Sequence, residues 1–218
     1  MAMLGCAPLD DIDRFWSASM SKILVLQSSI MGTHSRTNAL IDSYLAQRRA
    51  AGHMDDVMVR DLPRMQLPVL DHELFHALRG AVNPSVRARE VVALSDELIA
   101  ELKACDLLLI GAPMYNLNVP TPLKNWFDLV ARARVTFRYT DKHPVGLVEG
   151  VRAVVFSSRG GVHLGQPSDA VTPYLRSVLG LIGIADVEFV YAEGLDAGSE
   201  GVAKGLAEAR VQIVSLTA

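Results

Sequence analysis

The chain has 218 residues, half of them hydrophobic and 21% charged, with a formal net charge of −3. That length suits one domain with a buried core. The weak negative charge offers no electrostatic basis for binding nucleic acid or an anionic membrane. Two cysteines, Cys6 and Cys105, make no disulfide framework, and no Cys/His spacing reads as a zinc site, so no metal is expected. Cys105 precedes an apolar run, where a free thiol acts as a small buried hydrophobe. The longest apolar stretch, Leu107 to Met114, falls far short of the ~20 residues of a membrane span. A reducing, cytoplasmic location fits this cysteine usage.

Residues 1–20 carry Asp10, Asp11 and Asp13 where a signal peptide would be basic, and they lack a continuous apolar run. They are expected to form a poorly ordered extension, with Met20 a natural beginning. Residues 21–218 are then read as one domain.

From Lys22 the pattern alternates strand and helix. Lys22–Gln27 (KILVLQ) reads as a buried parallel strand. Ser35 can cap a helix to about Ala51. Asp55–Arg60 alternates and predicts a second strand. Residues 61–85 hold Pro63, Pro68 and Pro84 and read as a long excursion, partly helical near Glu73–Leu78. A helix follows from Arg87 to Ala104, then a third strand at Asp106–Ile110. Thr121-Pro122 is expected to open the next helix, with threonine as cap and proline at its first position. Residues 133–150 read as a polar excursion. Val151–Phe156 is the fourth strand, and Thr172-Pro173 repeats the opening device in a helix that Gly183 can end. Asp186–Tyr191 is the fifth strand and Glu200–Leu216 the closing helix. Five strands alternating with helices predict a parallel sheet covered on both faces.

In such sheets ligands bind beyond the carboxyl ends of the strands. The loop after strand one, SSIMGTHSRTN (28–38), carries five hydroxyl side chains and runs into a helix. Hydroxyls and a helix N-terminus suit a phosphate; the same composition also makes an ordinary helix entry. It is neither a P-loop nor a dinucleotide fingerprint, since Gly32 stands alone. The loop after strand three, APMYNLNVPTP (112–122), is stiffened by prolines and offers Tyr115, Asn116 and Asn118 to a flat heterocycle. The loop after strand four, SSRGGVH (157–163), has two glycines that permit close backbone approach.

Together these loops, with APMYNLNVPTPLKNWFDLVARARVTFRYT (112–140) and VTPYLRSVLGLIGI (171–184), resemble the FMN-dependent NADH azoreductases, which also reduce quinones. The resemblance runs from Ser21 to about Ser215. It implies a flavodoxin-like three-layer sandwich, with a five-stranded parallel sheet between helices, and a homodimer with one non-covalent FMN per subunit. It also implies electron transfer from NADH to azo compounds and quinones in a ping-pong order. It places the FMN phosphate and ribityl chain at Ser29, Ser35, Arg36 and Thr37. Met114, Tyr115, Asn116 and Leu117 would border one side of the ring, and Ser158, Arg159, Gly160 and Gly161 the other. Thr37 replaces a frequent serine and keeps the hydroxyl; Leu117 replaces a frequent phenylalanine and removes an aromatic wall.

Tyr115 and His163 are the candidate catalytic side chains. His163 either donates a proton or hydrogen bond to the ring edge or stands in solvent. Arg159 is expected at the flavin edge, with surface pairing to an acid as the alternative. A side chain at position 161 is expected to crowd the flavin. An enzyme with little azo activity and a flavodoxin-like electron carrier are the competing readings.

Overall fold

A computed structural model describes residues 20–217. The expected extension at 1–20 lies outside the described residues apart from Met20. Seven strands and seven α-helices follow in chain order: β1 Lys22–Gln27, α1 Arg36–Ala50, β2 Asp56–Asp61, α2 Leu62–Met65, α3 His72–Ala77, α4 Val86–Ala104, β3 Leu107–Gly111, α5 Thr121–Val130, β4 Phe137–Arg138, β5 Val145–Gly146, β6 Arg152–Ser158, α6 Val171–Ile182, β7 Val187–Ala192 and α7 Gly198–Thr217.

The main sheet is wholly parallel, in the order β2-β1-β3-β6-β7. Alternate residues of β1, β3, β6 and β7 enter two separate cores, as the two-residue period of a strand requires. Leu24, Leu26, Leu108, Ile110, Ala153 and Val155 pack with residues of α4, α5 and α6. Ile23, Val25, Leu107, Leu109, Val154 and Phe156 pack with residues of α1 and α7. Both faces of β1, β3 and β6 are therefore buried, which explains their near-continuous apolar sequences.

Three expectations change. The second strand, expected at Asp55–Arg60 from its alternation, is β2 at one edge of the sheet, with Val57, Met58 and Val59 all exposed rather than alternating in burial. Residues 61–85 are helical near Glu73–Leu78 as expected, at α3, but are more than an excursion: Leu62, Leu67, Leu74 and Ala77 are buried in the larger core, and Asn125 Nδ2 donates to Leu67 O at 3.1 Å. Residues 133–150 form the antiparallel pair β4–β5, with Phe137 and Val148 buried. Trp126 lies wholly inside the chain.

The Thr-Pro openings also differ. Pro120 occupies the cap of α5 without a side-chain cap bond, so Thr121 is already helical. α6 starts one residue before Thr172, and Asp169 Oδ1 accepts from Thr172 N at 3.1 Å. Ser35 does cap α1, and Gly183 ends α6 at φ +112°, a conformation natural to glycine.

Candidate functional site

The sheet order reverses direction between β1 and β3, so the loops after β1, β3 and β6 meet at the edge where open parallel sheets bind ligands. Two hydrogen bonds join them. Ser29 Oγ lies 3.1 Å from Tyr115 Oη, linking the first loop to the second. Met114 N donates to Ser158 O at 2.9 Å, linking the second to the third.

In the first loop, Gly32 opens a short 3-10 turn, Gly32–His34, at φ +53°. Ser35 then accepts from Asn38 N at 3.1 Å, and Ser35 Oγ and Thr37 Oγ1 lie 3.1 Å apart, both buried. Ser28 Oγ donates to Gly111 O and fixes the loop to β3. A Cβ on Gly111 would come within 3.3 Å of Thr37 Oγ1, so the glycine lets α1 sit close to β3. The first amides of α1 lack intrahelical partners, and the helix dipole favours an anion there. Arg36, at its first position, is exposed to meet one. Asn38 Oδ1 is buried without a hydrogen-bond partner among the described residues. An orphaned acceptor beside an anion-favouring helix end suits a ligand carrying both phosphate and hydroxyl groups. A cavity of about 570 Å³ lies against this loop, lined by Ser29, Ser35 and Asn38 and, on its far side, by Asp61 and Arg64.

The second loop is a tight turn. Tyr115 N donates to Asn118 O at 2.9 Å, and Asn118 N to Tyr115 O at 3.0 Å. Its central residues, Asn116 and Leu117, hold φ +49° and +64°. Both are exposed, Leu117 by 47%. Positive φ at both positions is the type I′ geometry, which strongly prefers Asn-Gly. Asparagine meets that demand; leucine does not. Strained backbone of this kind concentrates at functional sites. Met114 and Tyr115 are half-buried at its base.

The third loop is held from behind. Arg159 is 1% exposed, and its guanidinium donates to Ser157 Oγ at 3.1 Å, Glu193 Oε1 at 3.2 Å and Thr172 Oγ1 at 2.9 Å. It also pairs with Asp169 at 3.1 Å and lies 4.7 Å from the Tyr191 ring centroid. Burial opposes charge on Asp169, but hydrogen bonds from Thr172 and Arg159 outweigh it and hold the carboxyl below its ordinary value. Glu193 Oε1 also accepts from His163 N at 2.8 Å and Leu164 N at 2.9 Å.

The Arg159 side chain therefore matches neither expectation: it is neither available to a flavin edge nor at the surface. It braces the loop from inside. His163 does not stand free in solvent either. It is half-buried, with Nδ1 2.8 Å from Ser168 Oγ. A Cβ on Gly161 would fall 2.8 Å from its Nε2, so the first group crowded by a side chain there is His163 itself. Asp169, Tyr191 and Glu193, which help set the loop's shape, carry no sequence signal of that role, because they lie 10 to 34 residues beyond Arg159, and Thr172 is marked by the sequence only as a helix opener. Cys105 is buried as expected, and burial pushes its thiol up to about 11.

These features define a candidate ligand site at the carboxyl ends of the strands of a flavodoxin-like scaffold. A family described by its flavodoxin-like fold matches residues 21–216, and the chain belongs to it. Among its relatives, the "FMN-dependent NADH:quinone oxidoreductase 4" of Burkholderia lata is 71% identical over 199 residues, covering 91% of this chain and all of that protein. The "FMN-dependent NADH:quinone oxidoreductase" of Aeromonas salmonicida is 57% identical over 197 residues, 90% of this chain and 99% of its own. An azoreductase crystal structure from Bacillus anthracis superposes with a TM-score of 0.82 at 23% identity, covering 91% of this chain and 99% of that one, and shares the fold. No described helix is long and apolar enough to cross a membrane.

Proposed function

We propose that this chain is an FMN-dependent oxidoreductase that transfers electrons from NADH to quinones and to azo compounds, as a homodimer with one FMN per subunit. The names of the bacterial relatives support the cofactor, the donor and the quinone acceptor; the azo acceptor rests on the resemblance of the loops. One observation carries the reading: the Ser29–Tyr115 and Met114–Ser158 hydrogen bonds gather residues of all three loops at the carboxyl ends of β1, β3 and β6.

When bound, FMN supplies a two-electron carrier able to take hydride from NADH and pass reducing equivalents onward. The chain's own part is binding and orientation. Ser29, Ser35, Arg36 and Thr37 hold the phosphate and ribityl end at the helix N-terminus. Met114, Tyr115, Asn116 and Leu117 form one border of the ring site. Ser158, Gly160, Gly161 and the backbone of Arg159 form the other. Tyr115 N is occupied by Asn118 O, whereas the amides of Asn116, Leu117, Gly160 and Gly161 take no acceptor among the described residues. Oriented amides of this kind stabilise negative charge without reorganising. Tyr115 fixes the site through its hydroxyl bond to Ser29, and His163 holds the third loop through Ser168. Donor and acceptor would use this site in turn, the ping-pong order that the resemblance of the loops implies.

The test is the visible spectrum of the purified protein, followed by NADH without air and then a benzoquinone or an azo dye. Bleaching by NADH and recovery with quinone are expected. Flavin bands that NADH leaves unchanged would indicate an electron carrier instead. Failure to take up added FMN would overturn the assignment of all three loops. Recovery with quinone alone would remove the azo acceptor, and a monomer in sedimentation would remove the dimer.

A further inference from the structure

The segment His72-Glu73-Leu74-Phe75-His76 places two histidines four residues apart on α3. That is the spacing of paired imidazole ligands on one helix face, so the expectation that no Cys/His spacing suits a metal needs correction at this pair. The two rings are both exposed, with centroids 4.5 Å apart and planes at 60°. For metal–nitrogen bonds of about 2.0–2.1 Å, each ring centroid stands about 3.2 Å from the ion. N–metal–N angles of about 90–110° then require centroids about 4.5–5.2 Å apart. The observed separation meets that range. From this geometry we infer that His72 and His76 form a two-imidazole site for a divalent transition-metal ion of the nickel–zinc class.

The backbone beneath the rings is fixed. Leu74 and Ala77 are buried in the larger core, and Asp71 caps α3 by accepting from Leu74 N at 2.9 Å. Arg87 clamps Asp71 at 2.7 Å and Glu73 at 3.0 Å. Glu73 is thus engaged, and no group of three or more His, Cys, Asp or Glu able to hold a metal occurs among the described residues. The site is a chelate whose remaining positions go to water, without the third protein ligand and free carboxylate of a hydrolytic zinc centre. Imidazole favours nickel and zinc over magnesium and calcium, which require oxygen.

Calorimetric titration of the FMN-loaded full chain with Ni²⁺, Zn²⁺ and Mg²⁺ tests this, alongside His72→Ala, His76→Ala and the control His143→Ala. One Ni²⁺ or Zn²⁺ should bind per chain and Mg²⁺ should not. Either α3 substitution should weaken Ni²⁺ binding about tenfold or more, because the second ligand no longer binds intramolecularly. His143→Ala should leave it intact, and NADH oxidation should be unchanged in all three. No uptake of Ni²⁺ up to millimolar concentration would overturn the site. So would α3 variants that bind as tightly as the parent.

Discussion

Replacing Leu117 by alanine and by glycine should reverse the usual stability order of those two residues. In regular structure glycine is worse than alanine by about 0.5–1 kcal/mol, because it loses more backbone freedom on folding. At φ +64°, however, alanine retains a Cβ clash that costs about 1–2 kcal/mol and glycine does not. Both substitutions remove the same side chain, 47% exposed, so the loss of burial cancels between them. The difference leaves the Leu117→Gly variant ahead of Leu117→Ala by roughly 0.5–1 kcal/mol, or about 1–4 °C in Tm for a chain of this size. Urea and thermal melts of both variants, with FMN removed and with FMN in excess, measure it. If the alanine variant is as stable as the glycine variant, residue 117 does not hold left-handed backbone in solution. The turn that presents the amides of Asn116 and Leu117 would then be wrong.

Arg159→Met should cost about 3–5 kcal/mol in urea unfolding, since it strands the nearly buried Asp169 and Glu193; a loss under about 1 kcal/mol would mean the cluster is hydrated. The folded-state pKa of Asp169 lies below its unfolded value of about 3.9, so its charge contributes stability above that value and loses it as pH falls through the folded pKa. The urea midpoint should therefore drop below about pH 4, and Asp169→Asn should flatten that limb of the profile. A Cβ on Gly146 would stand 2.1 Å from Gly183 N, whereas one on Gly180 meets nothing within 4 Å. Gly146→Ala should therefore destabilise by about 1–3 kcal/mol or more, while Gly180→Ala should gain about 0.5–1 kcal/mol in its helix; the two melts check the packing of β5 on α6. Ser35→Ala should lose about 1 kcal/mol with its cap and weaken FMN uptake, read by flavin fluorescence.

The central strands were legible because their burial leaves a mark on composition. Lys22–Gln27, Leu107–Gly111 and Arg152–Ser158 are apolar on both faces, and helices cover both faces. The sequence misled where burial depends on what lies alongside. DDVMVR alternates as a strand does, but nothing in it signals that β2 leaves Val57, Met58 and Val59 exposed while the other edge strand, β7, buries Val187, Val190 and Ala192. The prolines of 61–85 marked breaks correctly but hid Leu62, Leu67 and Leu74, which pack as isolated anchors without any period. The Thr-Pro pairs suggest caps from local chemistry alone. At α6 the capping side chain comes from Asp169, three residues before Thr172, and nothing in the dipeptide signals it.

At the site, the loops were legible and their bracing was not. Arg159 drew a ligand assignment because it adjoins Gly160-Gly161. Its direction could nonetheless have been read from the strand period. Ala153 and Val155 belong to the core shared with α6, and a two-residue repeat sends Ser157 and Arg159 toward that same layer. A cation sent there demands buried acids and hydroxyls. The chain supplies Asp169 and Thr172 at the start of α6 and Glu193 just past β7. The same period turns Ser158 to the opposite side, so beyond Ser158 the third loop presents backbone amides at the edge of the sheet. In the flavin site proposed above, the third loop would act through the backbone dipoles of Gly160 and Gly161, with the buried Arg159 guanidinium fixing where those dipoles point.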